Sequence, residues 1–288
     1  MEQFRTGKVS ANGIDFHYLE AGSGPLVLCL HGFPDNACTY RYLLPALAEA
    51  GFRAVAPFMR GYSPTGRPAD ERYESVLLAQ DAAALIAALG AERAAAVIGH
   101  DWGGAATAGC AVLTPQRVEK IVTIAIPHGP FATDYDSLKG GWHGYFFQMP
   151  FAESLVALND YDFIYKWWRD ASPEYEPPAE IMESVKATFR SPGTLTAALN
   201  YYRHTIHPAN RDPALADARE KIATVPIPVP ALALHGTRDR PGRLAMFEKM
   251  GALFGAGLRK VILPGTGHFL HLERPREVNA EIVQFLKS

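Results

Sequence analysis

Three short loops of this sequence carry side chains that could do covalent chemistry together. Gly99, His100, Asp101, Trp102, Gly103 and Gly104 stand between an apolar run, Ala94 to Ile98, and a helical pattern, Gly103 to Thr114. Small residues at 99, 103 and 104 permit a tight strand-to-helix turn that lifts the middle side chain above the sheet edge. The apex residue is a carboxylate, and oriented N–H groups at the helix start favour its charge by roughly 0.3–1 kcal/mol. Aspartate is also a favoured helix N-cap, so this loop by itself would permit a purely structural reading. Two further apolar runs end in Leu234 to Asp239 and in Pro264 to His268. Together they give the chain order nucleophile, acid, base: Asp101 to attack, Asp239 to orient, His268 to take a proton. No acid follows the Ile121 to Ile126 run, which strengthens Asp239. His271, three residues beyond the base, reads as structural. His31, Gly32, Phe33 and Pro34 follow the Leu26 to Leu30 run. The Phe33 backbone N–H, with that of Trp102, can form an oxyanion hole for an ester intermediate.

Such loops need a sheet to hold them in register. Alternating polar and apolar residues over Gly7 to Asn12 and Ile14 to Glu20 predict two half-buried strands joined by a turn. Continuous apolar runs at Pro25–Leu30, Phe52–Pro57, Ala94–Ile98, Ile121–Ile126, Val229–Leu234 and Leu258–Leu263 predict strands covered on both faces. Helical patterns fall between most of them, at Tyr40–Ala50, Ser75–Leu89, Gly103–Thr114 and Pro241–Phe254, and Pro275–Lys287 closes the chain. This alternation implies an α/β fold, a mostly parallel, doubly wound sheet with right-handed crossovers. From about Gly129 to Ala216 the strands stop and aromatics crowd in. Helical periodicity there, at Phe151–Leu158, Ile181–Phe189 and Thr194–Tyr202, predicts a helical cap or lid over 129–216. The core is then 1–128 and 217–288. Most of the cap aromatics read as packing.

Composition narrows the function classes. A formal net charge of −2 with interspersed signs is no polyanion-binding signature, so no nucleic acid partner is expected. Cys29, Cys38 and Cys110 are odd in number and unpatterned, which argues against a disulfide framework or a zinc site. Neither a secretory stretch over Met1 to Asp15 nor a membrane-length apolar run is present, so a cytoplasmic, membrane-free protein is the expectation. A homodimer is compatible with the sequence.

With these pieces assembled, the sequence resembles the epoxide hydrolases of the α/β-hydrolase superfamily over essentially the whole chain. His31 to Pro34, Gly61 to Thr65, Gly99 to Gly104 and Gly267-His268 carry the resemblance, with Leu199 to Arg203 as a fifth segment. It implies a hydrolase with no cofactor and no metal, acting on a small-molecule epoxide and water through an aspartyl ester. It also implies that Tyr202 protonates the opening ring and that His31, Pro34, Trp102 and Phe147 contact substrate. The family usually supplies a second lid tyrosine, but the matching position holds His143, with Tyr145 as the alternative donor two residues away. If His143 donates as an imidazolium, ring opening should weaken as pH rises. The chemistry fits independently. A carboxylate is a weak nucleophile and needs a strained electrophile or a good leaving group, and an opening epoxide needs an acid. Dehalogenases share the aspartyl ester. Haloalkane enzymes usually place Asn where Phe33 stands. Haloacetate enzymes usually place arginine where Trp102 and Ala105 stand. A non-enzymatic ligand receptor is the remaining alternative, because a fold does not fix a function.

Overall fold

The computed structural model describes residues 4–129, 134–242 and 244–288. Eight strands are present among them: β1 Arg5–Ala11, β2 Ile14–Ala21, β3 Leu26–Leu30, β4 Arg53–Pro57, β5 Ala94–His100, β6 Val118–Ile124, β7 Ala231–Gly236 and β8 Leu258–Leu263. They form one sheet in the order β1-β2-β4-β3-β5-β6-β7-β8. β1 pairs with β2, and β2 with β4, antiparallel, while all later pairings are parallel. β3 shows why its sequence is uniformly apolar. Leu26, Leu28 and Leu30 face one core and Val27 and Cys29 the other, so a buried two-sided strand has no solvent face.

The helices are α1 Leu43–Glu49, α2 Ser75–Ala88, α3 Trp102–Leu113, α4 Tyr135–Gly140, α5 Trp142–Phe146, α6 Ala152–Ala171, α7 Ala179–Arg190, α8 Thr194–Ile206, α9 Ala216–Thr224, α10 Leu244–Lys249, α11 Leu270–Glu273 and α12 Pro275–Lys287. α12 buries Val278, Ile282 and Phe285, one stripe at helical spacing, against the sheet. Helices α4 to α8 lie between β6 and β7 and replace the usual crossover. Their aromatic side chains Phe147, Trp167, Trp168, Phe189 and Tyr202 join the same apolar cluster as β3 and α3.

Several expected boundaries move. The helix expected over Tyr40–Ala50 opens instead as a 3₁₀ turn at Ala37–Tyr40, where the Asn36 side chain accepts the Cys38 N–H, and α1 starts only at Leu43. The Phe151–Leu158 pattern extends to Ala171, because α6 turns rather than stops. Asn159, Asp160 and Tyr161 take positive φ of 51°, 54° and 60°, and bonds to two α7 residues, Arg190 and Phe189, hold that kink. Asp160 accepts from Arg190, and Tyr161 Oη donates to the Phe189 carbonyl at 2.6 Å. The expected Pro241–Phe254 helix narrows to α10 plus a 3₁₀ turn, Met250–Leu253, with residue 243 outside the described residues. Residues 130–133 of the expected cap also lie outside them. Among the described residues no helix is long and apolar enough to cross a membrane.

Candidate active site

β5 delivers His100 at its end, and the chain then folds back into α3 through Asp101 at φ 51°, ψ −119°. A non-glycine residue there is strained by about 1–3 kcal/mol, a cost usually found where a side chain must be aimed. Asp101 starts the helix with its carbonyl, which accepts from Gly104 N–H at 2.8 Å and Ala105 N–H at 3.1 Å. Its carboxylate makes no cap bond. The plain N-cap reading therefore fails, and Oδ1 instead accepts the Phe33 N–H at 2.8 Å. The Trp102 N–H also favours the charged form of this carboxylate. Such closeness needs bare glycines: a Cβ on Gly32 would overlap the Asp101 carboxylate, and one on Gly103 would overlap the Leu30 carbonyl.

The loop after β7 brings Asp239, and the loop after β8 brings His268. The Arg238 N–H to Thr266 carbonyl bond, 2.8 Å, ties the two loops together. His268 Nδ1 lies 3.2 Å from both Asp239 oxygens, so it carries the proton and leaves Nε2 as the free lone pair. Nε2 has no hydrogen-bond partner and sits 3.7 Å from Asp101 Oδ2. Burial alone would lower the His268 pKa, but the Asp239 and Asp101 carboxylates outweigh it and hold it above the usual histidine value. Burial raises the Asp101 pKa, against the pull of His268 and the two amides.

Opposite Asp101 stands an aromatic wall from the inserted helices. The Tyr202 ring lies 4.9 Å from Trp102, 5.0 Å from Phe147 and 5.5 Å from both Phe33 and His143. Tyr202 Oη is buried and has no hydrogen-bond partner, and burial raises its pKa well above the ordinary phenol value. His143 is buried beside it with Nδ1 unpartnered. Burial, then the neighbouring His268, pushes its pKa down to about 3, so His143 is a neutral imidazole at working pH. That corrects the imidazolium expectation. Tyr145, the alternative donor, is 47% exposed and stands on the outer surface, so the structure removes it from the pocket.

Two expected substrate contacts also change character. His31 is fully buried, with Nδ1 3.0 Å from the Gly32 carbonyl and Nε2 accepting the Met59 N–H at 2.9 Å. Both nitrogens are spent on backbone, so His31 braces the oxyanion loop and does not reach substrate. Pro34 accepts the Trp168 indole N–H at 2.9 Å through its carbonyl, which docks α6 on that same loop. Phe147 is fully buried in the wall. Trp167, 5.6 Å from the His268 ring, and Phe189, 5.9 Å from Phe33, complete the surround. Sequence reasoning did not single these two out, because one aromatic in an aromatic-rich insertion looks like any other.

Comparison with known proteins agrees with this geometry. The α/β hydrolase fold family matches residues 25–275. Epoxide hydrolase 3 of Xenopus tropicalis is 33% identical over 98% of this chain and 77% of its own. Epoxide hydrolase A of Mycobacterium tuberculosis is 29% identical over 96% of each. The crystal structure of epoxide hydrolase A from Mycobacterium thermoresistibile superposes with a TM-score of 0.85 at 29% identity, covering 99% of this chain and 98% of that one. A buried carboxylate on a strained turn, an imidazole poised behind it and a phenol across the pocket thus occur in a chain that belongs to the epoxide hydrolases of the α/β-hydrolase superfamily.

Proposed function

We propose that this protein adds water to epoxides, giving vicinal diols through an ester on Asp101, with residues 129–216 acting as the cap. The observation that carries the reading is the division of labour within one carboxylate. Oδ1 already rests on the Phe33 N–H, whereas Oδ2 faces His268 and the pocket. Oδ2 attacks a ring carbon, the ring C–O bond breaks, and the alkoxide takes the Tyr202 proton. His268 Nε2 then takes a proton from water, and the hydroxide adds to the Asp101 carbonyl carbon. Charge collects on Oδ1, where the Phe33 and Trp102 amides hold it, and one such donor is typically worth ~10²–10³ in rate. Collapse breaks the bond from the carbonyl carbon to the diol oxygen, which is protonated by the His268 imidazolium. Asp101 leaves as the acid and returns its proton to the Tyr202 phenolate. Every step uses only groups of this chain, the epoxide and water.

His268→Gln should still alkylate but release diol slowly. Intact-protein mass spectrometry should show an adduct of one epoxide on the peptide holding Asp101. In a single turnover of wild type in ¹⁸O-water, the label should enter Asp101 and not the diol. Label in the diol on the first turnover would mean that water attacks the epoxide directly, and the ester mechanism would be wrong.

A second reading has one observation behind it. Trp102 Nε1 is another buried, unpartnered donor alongside Tyr202 Oη and His143. Three such donors could hold a halide, as a dehalogenase requires. The residues at 102 and 105, however, supply no cation to grip a haloacetate. Turnover of haloacetates or haloalkanes with negligible epoxide turnover would favour this alternative.

A further inference from the structure

Eight of the eleven large apolar side chains that stand exposed among the described residues fall in one stretch of the insertion, residues 135–158. Five of them, Tyr135, Leu138, Trp142, Tyr145 and Met149, recur at spacings of three, four, three and four, with exposures from 39% to 78%. Backbone bonds carry a helical course through that stripe. The Gly141 N–H donates to the Ser137 carbonyl at 2.9 Å, and the Gln148 N–H to the Tyr145 carbonyl at 3.1 Å. One turn further the Ala152 N–H bonds the Met149 carbonyl at 3.1 Å, and Phe151, Leu155 and Leu158 extend the exposed series into α6 at spacings of four and three. The other face of α5 is already occupied, since His143 and Phe147 are buried in the pocket wall. A helix apolar on both faces is one that is covered on both.

Area, charge and spacing together say what covers the outer face. Taking about 200 Å² for a fully exposed large side chain, the eight residues offer roughly 800 Å² of apolar surface. The largest apolar patch of an ordinary monomer is about 300–600 Å², whereas each partner of a stable complex contributes about 800 Å². Tyrosine, tryptophan, phenylalanine and methionine with few charges is also the composition of an interface centre. Between residues 134 and 162 a single lysine, Lys139, stands against five acids. Three of those acids, Glu153, Asp160 and Asp162, are paired with Arg203, Arg190 and Lys166. The face thus lacks the basic cluster that draws a protein to anionic lipid, and it is near enough to neutral to meet its own copy. A stripe at alternating spacings of three and four is the seam that a second helix of the same pattern fills. A two-fold axis sets one patch against its own copy in just that way. We propose that the face from Tyr135 to Leu158 docks a second copy of this chain, giving a homodimer joined through the inserted helices, on the outer side of the pocket wall.

Sedimentation equilibrium of the full chain reads this directly and needs no substrate. At about 10 µM, above the micromolar limit for interfaces of this size, wild type should have twice the mass of the chain. Leu138→Lys combined with Leu155→Lys puts one charge in each stripe. It should raise the dimer Kd by about 10²-fold or more, as the loss of interface anchors does. Because both side chains are exposed, far-UV circular dichroism and the urea midpoint of the dilute, monomeric protein should match those of dilute wild type. Val225→Lys, equally exposed but outside the stretch, should leave the dimer intact. Hydrogen exchange of wild type should slow over 135–158 as concentration rises through the Kd, and this decides the matter even if the double variant fails to fold. A monomeric wild type would overturn the proposal, as would a dimer indifferent to the double substitution. A dimer broken instead by Ile262→Lys would put the contact on the β8 edge. A monomer that floats with phosphatidylcholine vesicles would make the face a lipid-binding one, and the homodimer would be wrong.

Discussion

A buried phenol and a buried neutral imidazole are unequal acids, and that inequality decides what His143 and Tyr202 contribute. Tyr202 keeps its proton across the working range, since burial and the Asp101 charge raise its pKa well above the usual phenol value. Tyr202→Phe should slow ester formation by roughly 10²-fold or more, the low end for a positioned general acid. His143 at a pKa of about 3 offers only a hydrogen bond. A neutral hydrogen bond is worth about 0.5–1.5 kcal/mol, so His143→Phe should cost ester formation about 3–10-fold. Single-turnover alkylation in the His268→Gln background should stay flat from about pH 6 to 9, a span that includes the free histidine value; a fall through that range would restore the imidazolium donor. His268 itself carries a further consequence. Its raised pKa leans on Asp239 and Asp101, so protonation is favoured at low pH and the neutral base appears as pH rises. Forming the ester removes the Asp101 charge, so the base should lose its proton more easily at the moment it is needed. Pre-steady-state ester hydrolysis should therefore rise with a lower apparent pKa than His268 shows in free enzyme by NMR titration. Equal values would mean that Asp101 does not hold that proton.

At the scale of elements, the presence of each strand was legible, while ends of both strands and helices moved by up to several residues. A two-sided strand such as β3 declares itself by five apolar residues in a row, and the loop that follows is then fixed by chain connectivity. That is why the three site loops could be read from sequence. The α6 kink could not be, because Asn159 to Tyr161 owe their left-handed backbone to α7 partners about thirty residues away. His143 was found by position in a motif, but its protonation state depends on burial that only packing shows. The braces beneath the site are testable. Arg60, after β4, bonds Asp81 of α2 twice at 2.7 Å, with both side chains nearly fully buried. Its carbonyl accepts the Tyr201 hydroxyl at 2.8 Å, next to Tyr202. Burial raises the Asp81 pKa even against Arg60, so desolvation is not fully offset by the pair. Removing one partner strands a buried cation, and Asp81→Ala should lower stability by about 3–5 kcal/mol in urea melts. Replacing both by apolar side chains of similar volume should recover most of that loss. A silent Asp81→Ala would show that water reaches Arg60.

Across the whole molecule, the inserted helices and the sheet read as two units in sequence, yet several of the bonds between them meet at the base. The His268 N–H donates to the Ala171 carbonyl at the end of α6, at 3.1 Å, and the Phe269 N–H donates to Ser172 Oγ at 3.0 Å. Ser172 Oγ in turn donates to Glu273 at 2.7 Å, and both Glu273 oxygens accept the Gly267 N–H at 3.0 Å. Trp168 stacks on Phe269, centroids 3.7 Å apart and planes 16° from parallel, while its indole N–H reaches the oxyanion loop at Pro34. On the other side of the pocket, Asn36 Nδ2 donates to the Ser184 carbonyl at 3.1 Å and to Thr188 Oγ1 at 3.0 Å. An insertion that supplies backbone acceptors to the base loop cannot melt first and leave that loop in place. One apolar cluster also runs through both parts, so neither buries its large aromatics alone. Unfolding should therefore be a single cooperative transition, with Trp fluorescence, weighted to the insertion, and far-UV circular dichroism, weighted to the whole chain, giving the same midpoint. Trp168→Ala should move both midpoints together, by an amount equivalent to about 3–5 kcal/mol for a buried aromatic truncated in place. It should also depress ester hydrolysis more than ester formation, because its contact Phe269 adjoins His268 rather than Asp101. Two separated transitions, with the fluorescence change first and activity lost only at the second, would show that the sheet alone holds the base.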